Sequence, residues 1–158
     1  MRYQIKQKLL SLTENFTIQD EAGRDVLKVS GKLIGSTKTI SDMAGLELAT
    51  VKRRYLTIRR TFEVRIGGQV VAVIRGRLFR LIGAAFEIET TSGPIEVDGR
   101  LFERDYTLRR GGKPIAQISK RWFSLTDSYG VDIFDQNDTL ICIATVLAID
   151  SFLDSKDD

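Results

Sequence analysis

The stretch "VKRRYLTIRR", residues 51–60, places five cations, Lys52, Arg53, Arg54, Arg59 and Arg60, in ten positions. An arginine fork can meet two phosphate or carboxylate oxygens at once, so such a cluster is equipped to hold an anion. Arg75 and Arg77 extend the set, and residues 51–82 carry nine Lys/Arg against a single acid, Glu63. A surface shaped only for solubility would interleave the two signs. The candidate anion contacts are therefore Arg53, Arg54, Arg59, Arg60, Arg75 and Arg77. The competing reading is a solvated strand face whose charges pair with carboxylates on neighbouring strands.

Other chemistry is thinly supplied. Histidine is absent, which removes the commonest general base and the commonest transition-metal ligand together. The one cysteine, Cys142, lies between Ile141 and Ile143 and is expected to behave as a small buried hydrophobe. Glu87 and Glu89, like Glu96 and Asp98, lie two apart on one strand face, where carboxylates are normally solvated rather than catalytic. Asp127, Asp132, Asp135 and Asp138 do not follow the alternating ligand spacing of a calcium loop and read as turn and cap residues. Neither a cofactor nor a metal ion is expected. Trp122 and Phe123, after Lys120 and Arg121, are expected to seal one end of the fold.

The elements that must position these residues are strands. "FTIQD" and "DVLKVSG" flank "EAG", "KTISD" and "LELATVK" flank "MAG", and "FEVRI" and "QVVAVIR" flank a Gly-Gly pair. "AFEIETT" and "PIEVDG", then "DYTLRRG" and "KPIAQISK", repeat the arrangement. Alternation, glycine turn, alternation is the hairpin signature. Glycines at 23, 45, 68, 93 and 112 set a repeat of roughly 22 residues per hairpin. A small residue recurs between apolar ones after the turn, as at Ala49, Ala72 and Ala116, which suits a tight barrel interior.

The pattern breaks at "TLICIATVLAIDSFL", residues 139–153, where eleven of fifteen residues are apolar and cover every side of a helical wheel. Asp138 is its expected N-cap. Spanning a bilayer takes about 20 apolar residues, whereas Asp150 interrupts this run, so the helix is expected inside protein. One opening strand (3–10), five hairpins and a last strand make twelve. A closed sheet of twelve strands leaves a lumen too wide for its own side chains, and an apolar helix fills it. The fold class is therefore mainly β: a closed twelve-stranded antiparallel barrel over about 3–135 enclosing a C-terminal hydrophobic helix, in a single domain spanning 1–158.

"MRYQIKQKLLSLTENFTIQDEAG" at the start, "ISKRWFSLTDSYGVDI" at 118–133 and "LICIATVLAID" at the end resemble the LURP-one-related family. That family sits in the Tubby C-terminal-like superfamily with the phospholipid scramblases. The resemblance implies the same barrel-around-a-helix architecture. It implies little about activity: Tubby proteins bind a phosphoinositide through basic residues on the barrel. Scramblases carry a cysteine-rich palmitoylation segment that is missing from this sequence.

The expected function is binding without catalysis, of an anionic lipid headgroup or a phosphorylated small molecule, at the 51–80 face. The alternatives are a protein-interaction barrel whose charges meet an acidic protein partner, and a carboxylate-based enzyme. Nucleic acid is disfavoured: a barrel has no groove-reading helix, and Tyr55, Phe62 and Phe79 read as core-facing. Residues 1–15 lack a continuous apolar core of the signal-peptide kind. A cytoplasmic location, peripheral at the membrane surface, is the expectation, with no transmembrane segment.

Overall fold

The computed structural model describes residues 1–6, 15–31, 37–55, 57–76, 86–122 and 128–154. Twelve strands form along them: β1 (Arg2–Lys6), β2 (Phe16–Gln19), β3 (Asp25–Gly31), β4 (Thr37–Ser41), β5 (Glu47–Arg54) and β6 (Thr61–Ile66). Then follow β7 (Gln69–Gly76), β8 (Phe86–Thr90), β9 (Glu96–Arg100), β10 (Asp105–Arg110), β11 (Lys113–Ser119) and β12 (Ser128–Ile133). A 3-10 turn (Gln136–Asp138) leads into α1 (Thr139–Asp154).

All twelve strands belong to one antiparallel sheet, in the order β8-β7-β6-β5-β4-β3-β2-β1-β12-β11-β10-β9. Strands consecutive in sequence pair with one another except β8 and β9, which form the two edges, and β1 lies beside β12, with Arg2 opposite Asp132 and Ile5 opposite Tyr129. The two edge strands meet at a single bridge, where Ile95 N–H donates to the Ile88 carbonyl at 2.9 Å. The sheet is thus a nearly closed barrel.

The glycine turns work as their residues dictate. Gly67 and Gly68 both have positive φ (59° and 78°), as do Gly111 and Gly112 (58° and 78°), which a two-residue hairpin turn requires. "DEAG" and "DMAG" build the same turn twice. The Asp20 carboxylate accepts from the Ala22 and Arg24 amides (2.9 and 3.0 Å), and that of Asp42 from the Ala44 and Leu46 amides (3.0 and 2.9 Å).

The small residues of the repeat also have a place. Ala49, Ala72 and Ala116 stand opposite Ile40, Val64 and Leu108. Each pair is buried, and beside each the strand bearing the alanine carries one extra residue, Leu48, Val71 or Ile115, that shifts the register. A bulge bends its strand, and a methyl group at the neighbouring inward position leaves room for the bend to curl the sheet inward.

α1 fills the lumen. Ile141 through Asp150 are all buried, while Leu140, Phe152 and Leu153 at the helix ends are half-buried. The helix packs on β5, β6, β7 and β12. Phe152 meets Phe62 edge-on at 5.1 Å between ring centroids and Phe86 at 4.8 Å. Gly76 makes that approach possible, because a Cβ there would lie 2.9 Å from the Phe152 ring. By length and composition Gln136–Leu153 is apolar enough to cross a bilayer, but its central residues are enclosed by strands.

Asp138 ends the 3-10 turn, and its carboxylate accepts from Arg110 Nη1 at 2.9 Å. The capping carboxylate of this corner is Asp135, which accepts from the Asn137 amide.

Strand alternation gives the barrel two unlike ends. The glycine turns following β2, β4, β6, β8 and β10 lie where α1 begins. The β5–β6 loop and the β9–β10 turn (101–104) lie where α1 finishes.

Candidate functional site

Period-two geometry divides the basic stretch between two faces. Ala49 and Val51 point inward, so Arg53 continues the inward row and Arg54 points out. Register agrees: Arg53 is opposite the buried Phe62, and Arg54 is opposite Thr61, which is opposite Arg75, which is opposite Glu87.

The outward set forms a charge lattice. Glu63 is almost fully covered and pairs with Arg54, with Arg65 Nη2 at 3.4 Å on its other oxygen and Lys52 directly opposite in register. Arg59 Nη1 donates to Glu87 Oε2 at 3.0 Å. Lys52, Arg54, Arg59, Arg65 and Arg75 therefore share the outer face of β5–β8 with Glu63, Glu87 and Glu89, leaving cations in excess.

The inward set forms a rim around the end of α1. The Arg60 guanidinium lies 5.6 Å from the centre of the Phe152 ring. Lys38 Nζ donates to Ser151 Oγ at 2.8 Å. Arg53 stacks 5.5 Å from the ring of Tyr55. Cations here oppose the negative end of the helix dipole. Six candidates thus fall into an outward group (Arg54, Arg59, Arg75) and a rim group (Arg53, Arg60); Arg77 lies outside the described residues.

Tyr55 is not core-facing, as its alternation suggested: it is 64% exposed, because β5 ends at Arg54 and the next inward position has no barrel wall opposite it. Phe62 is buried as expected, and Phe79 lies outside the described residues. Trp122 is half-buried, with the Arg2 guanidinium 4.1 Å from its ring centre; Phe123 lies outside the described residues. Asp132 pairs with Arg2 at 3.7 Å and Asp127 falls outside the described residues. Among the described residues no three His, Cys, Asp or Glu side chains gather where a metal ion could sit.

A second constellation was not legible in the sequence. Asp150, fully buried near the end of α1, accepts from Arg104 Nε at 3.1 Å on one oxygen and from the Tyr129 hydroxyl on the other. Arg104 lies in the β9–β10 turn and is itself only 4% exposed. Its φ of 50° is the one positive value at a described non-glycine residue, and it turns the side chain back into the barrel. Arg104 Nη1 also donates to the Phe102 carbonyl at 3.4 Å.

Tyr106, buried alongside, has a hydroxyl with no hydrogen-bond partner among the described residues. Burial, then the Asp150 charge, push the Tyr106 and Tyr129 phenols well above their ordinary range. The cluster is sealed from solvent. Its ion pair and hydrogen bond tie turn, strand and helix together.

Barrel, internal helix and terminal pattern point to one family, and its model matches residues 1–150. The chain belongs to the LURP-one-related family. YxjI of Bacillus subtilis (strain 168), described as uncharacterized, is 28% identical to this chain over 156 residues. That likeness covers 98% of this chain and 94% of YxjI. An X-ray structure of a protein from Arabidopsis thaliana is similar with a TM-score of 0.64, over 94% of this chain and 91% of that one. At 13% identity it shows a shared fold.

Proposed function

We propose that this LURP-one-related barrel is a non-catalytic binding domain that takes an anionic group, a lipid headgroup or a phosphorylated small molecule, on its basic β5–β8 face. The observation that carries this reading is the outward lattice, where Lys52, Arg54, Arg59, Arg65 and Arg75 outnumber Glu63, Glu87 and Glu89. Carboxylates that hold arginine forks in place lower the ordering cost of binding, and the excess cations supply the attraction. The Tubby-like resemblance supports the same ligand class. Binding rather than turnover fits a chain without histidine whose single thiol and Asp150 cluster are both sealed. The reading places the protein in the cytoplasm, peripheral to the membrane.

The test is calorimetry with pyrophosphate and glycerol phosphate, and co-sedimentation with anionic vesicles, at low and moderate salt. Wild type should bind and Arg59→Glu/Arg60→Glu should not, with affinity falling as salt rises. Equal binding by both proteins, or none by wild type at low salt, leaves the lattice as a solvated face.

A further inference from the structure

The β5–β6 loop is built unlike the turns at the other end of the barrel. Those turns use Gly, Asp, Ser and Thr, the residues that solvated turns prefer. Residues 55–60 read "YLTIRR". Ile58 is 92% exposed and Tyr55 is 64% exposed. A scattered exposed apolar residue is ordinary. Two of them on one loop, bracketed by Arg53–Arg54 and Arg59–Arg60, form a pattern: apolar tip, cationic shoulders.

The rest of this end matches. Phe102, in the β9–β10 turn, is 67% exposed at the same end of the barrel, with Arg100 and Arg121 close by, both holding Asp105. The opposite end also exposes Met43 and Leu46, but beside Asp42 and Glu47. The charge of that turn has the wrong sign for an anionic surface, and the other apolar side chains exposed at that end, Met1 and Phe134, do not share a loop. The loop end carries the most exposed apolar side chain of the described residues, Ile58, between two arginine pairs.

We infer that Tyr55 and Ile58 insert into the interface of an anionic bilayer while Arg53, Arg54, Arg59 and Arg60 engage headgroups around them. This rests on the proposed anion binding and narrows its source to a lipid surface rather than a free phosphorylated molecule. Tyr55 suits the headgroup layer, with an apolar ring and a polar tip. Ile58 reaches deeper, and the arginines keep their charged heads at the phosphates while their stems lie along the apolar layer. The barrel would then stand with the end of α1 facing the membrane.

The experiment uses vesicles of phosphatidylcholine with 0 or about 30% phosphatidylglycerol, contents that bracket a strongly anionic surface. Tyr55→Ser/Ile58→Ser is compared with wild type, and Thr57→Cys carries an environment-sensitive fluorophore, Cys142 being buried. Glycerol phosphate serves as the soluble headgroup. The expected result is that the double serine variant binds glycerol phosphate like wild type but binds anionic vesicles roughly tenfold or more weakly, the scale of losing one buried apolar side chain. The fluorophore should brighten and shift to the blue only with anionic vesicles. Equal vesicle binding by both proteins, or glycerol phosphate binding without vesicle binding, overturns the insertion and leaves anion binding standing. Binding of neither probe by wild type overturns both.

Discussion

Arg104 reaches from the β9–β10 turn to Asp150 of α1, Nε to Oδ1 at 3.1 Å, and neither side chain meets solvent. Forty-six positions separate them in the chain. A carboxylate inside an apolar helix needs a compensating charge, and this one is delivered by a residue held at positive φ.

Removing one partner should therefore cost far more than removing both. Asp150→Leu or Arg104→Met alone should lose about 3–5 kcal/mol, the usual consequence of stranding a buried charge. The double variant should recover much of that loss. Urea unfolding of the four proteins measures the coupling; additive losses would mean the two side chains act independently.

Alkaline pH should reveal the two inner tyrosines. Their folded-state values are raised, so their contribution to stability is complete below the ordinary tyrosine range near pH 10 and declines above it, where the unfolded chain ionises. Tyrosinate absorbance should show Tyr106 and Tyr129 silent until the barrel unfolds. Tyr129→Phe, which leaves Asp150 Oδ2 without its donor, should lose about 1–3 kcal/mol. Smooth titration of all the tyrosines in the native protein would contradict the sealed cluster.

Cys142 should ignore thiol reagents. Burial, assisted by the Asp138 charge and opposed by Arg110, pushes the thiol up to about 12, and the side chain is fully enclosed. A disulfide reagent at pH 8 should react only once denaturant is added. Rapid labelling of the native protein would show that α1 leaves the barrel.

Two isoleucines on opposite sides of the fold should respond oppositely to the same change. Ile143→Asp puts an unpaired charge among packed strands, costs several kcal/mol, and should yield no folded protein, since total stability is about 5–15 kcal/mol. Ile58→Asp changes a solvated tip and should leave the melting temperature within a degree or two. Far-UV circular dichroism with thermal melting separates the cases.

Much of the barrel was legible because each hairpin carries its own local signal. A turn glycine between two alternating runs identifies each unit without reference to any other, helped by an aspartate three residues before Gly23 and Gly45 and by Ala49, Ala72 and Ala116 after their turns. Asp150 could be seen as an anomaly, but nothing local distinguishes Arg104 from the other cations around it. Its role depends on a backbone angle and a distant contact. The basic stretch misled in another way. Neighbouring residues of a strand face opposite sides, so Arg53 belongs to the rim and Arg54 to the outer wall, however dense the run looks on the page. Tyr55 followed the inward parity past the point where the wall ended.

The pairing of β1 with β12 has a consequence for synthesis on the ribosome. The first strand made must wait for the last one before the sheet can close, and the helix that fills it emerges later still. Until then the growing hairpins carry an inner face of Ile, Val and Leu side chains with nothing inside to cover it. Translation halted before residue 128 should thus release a chain that chaperones hold, rather than a smaller barrel.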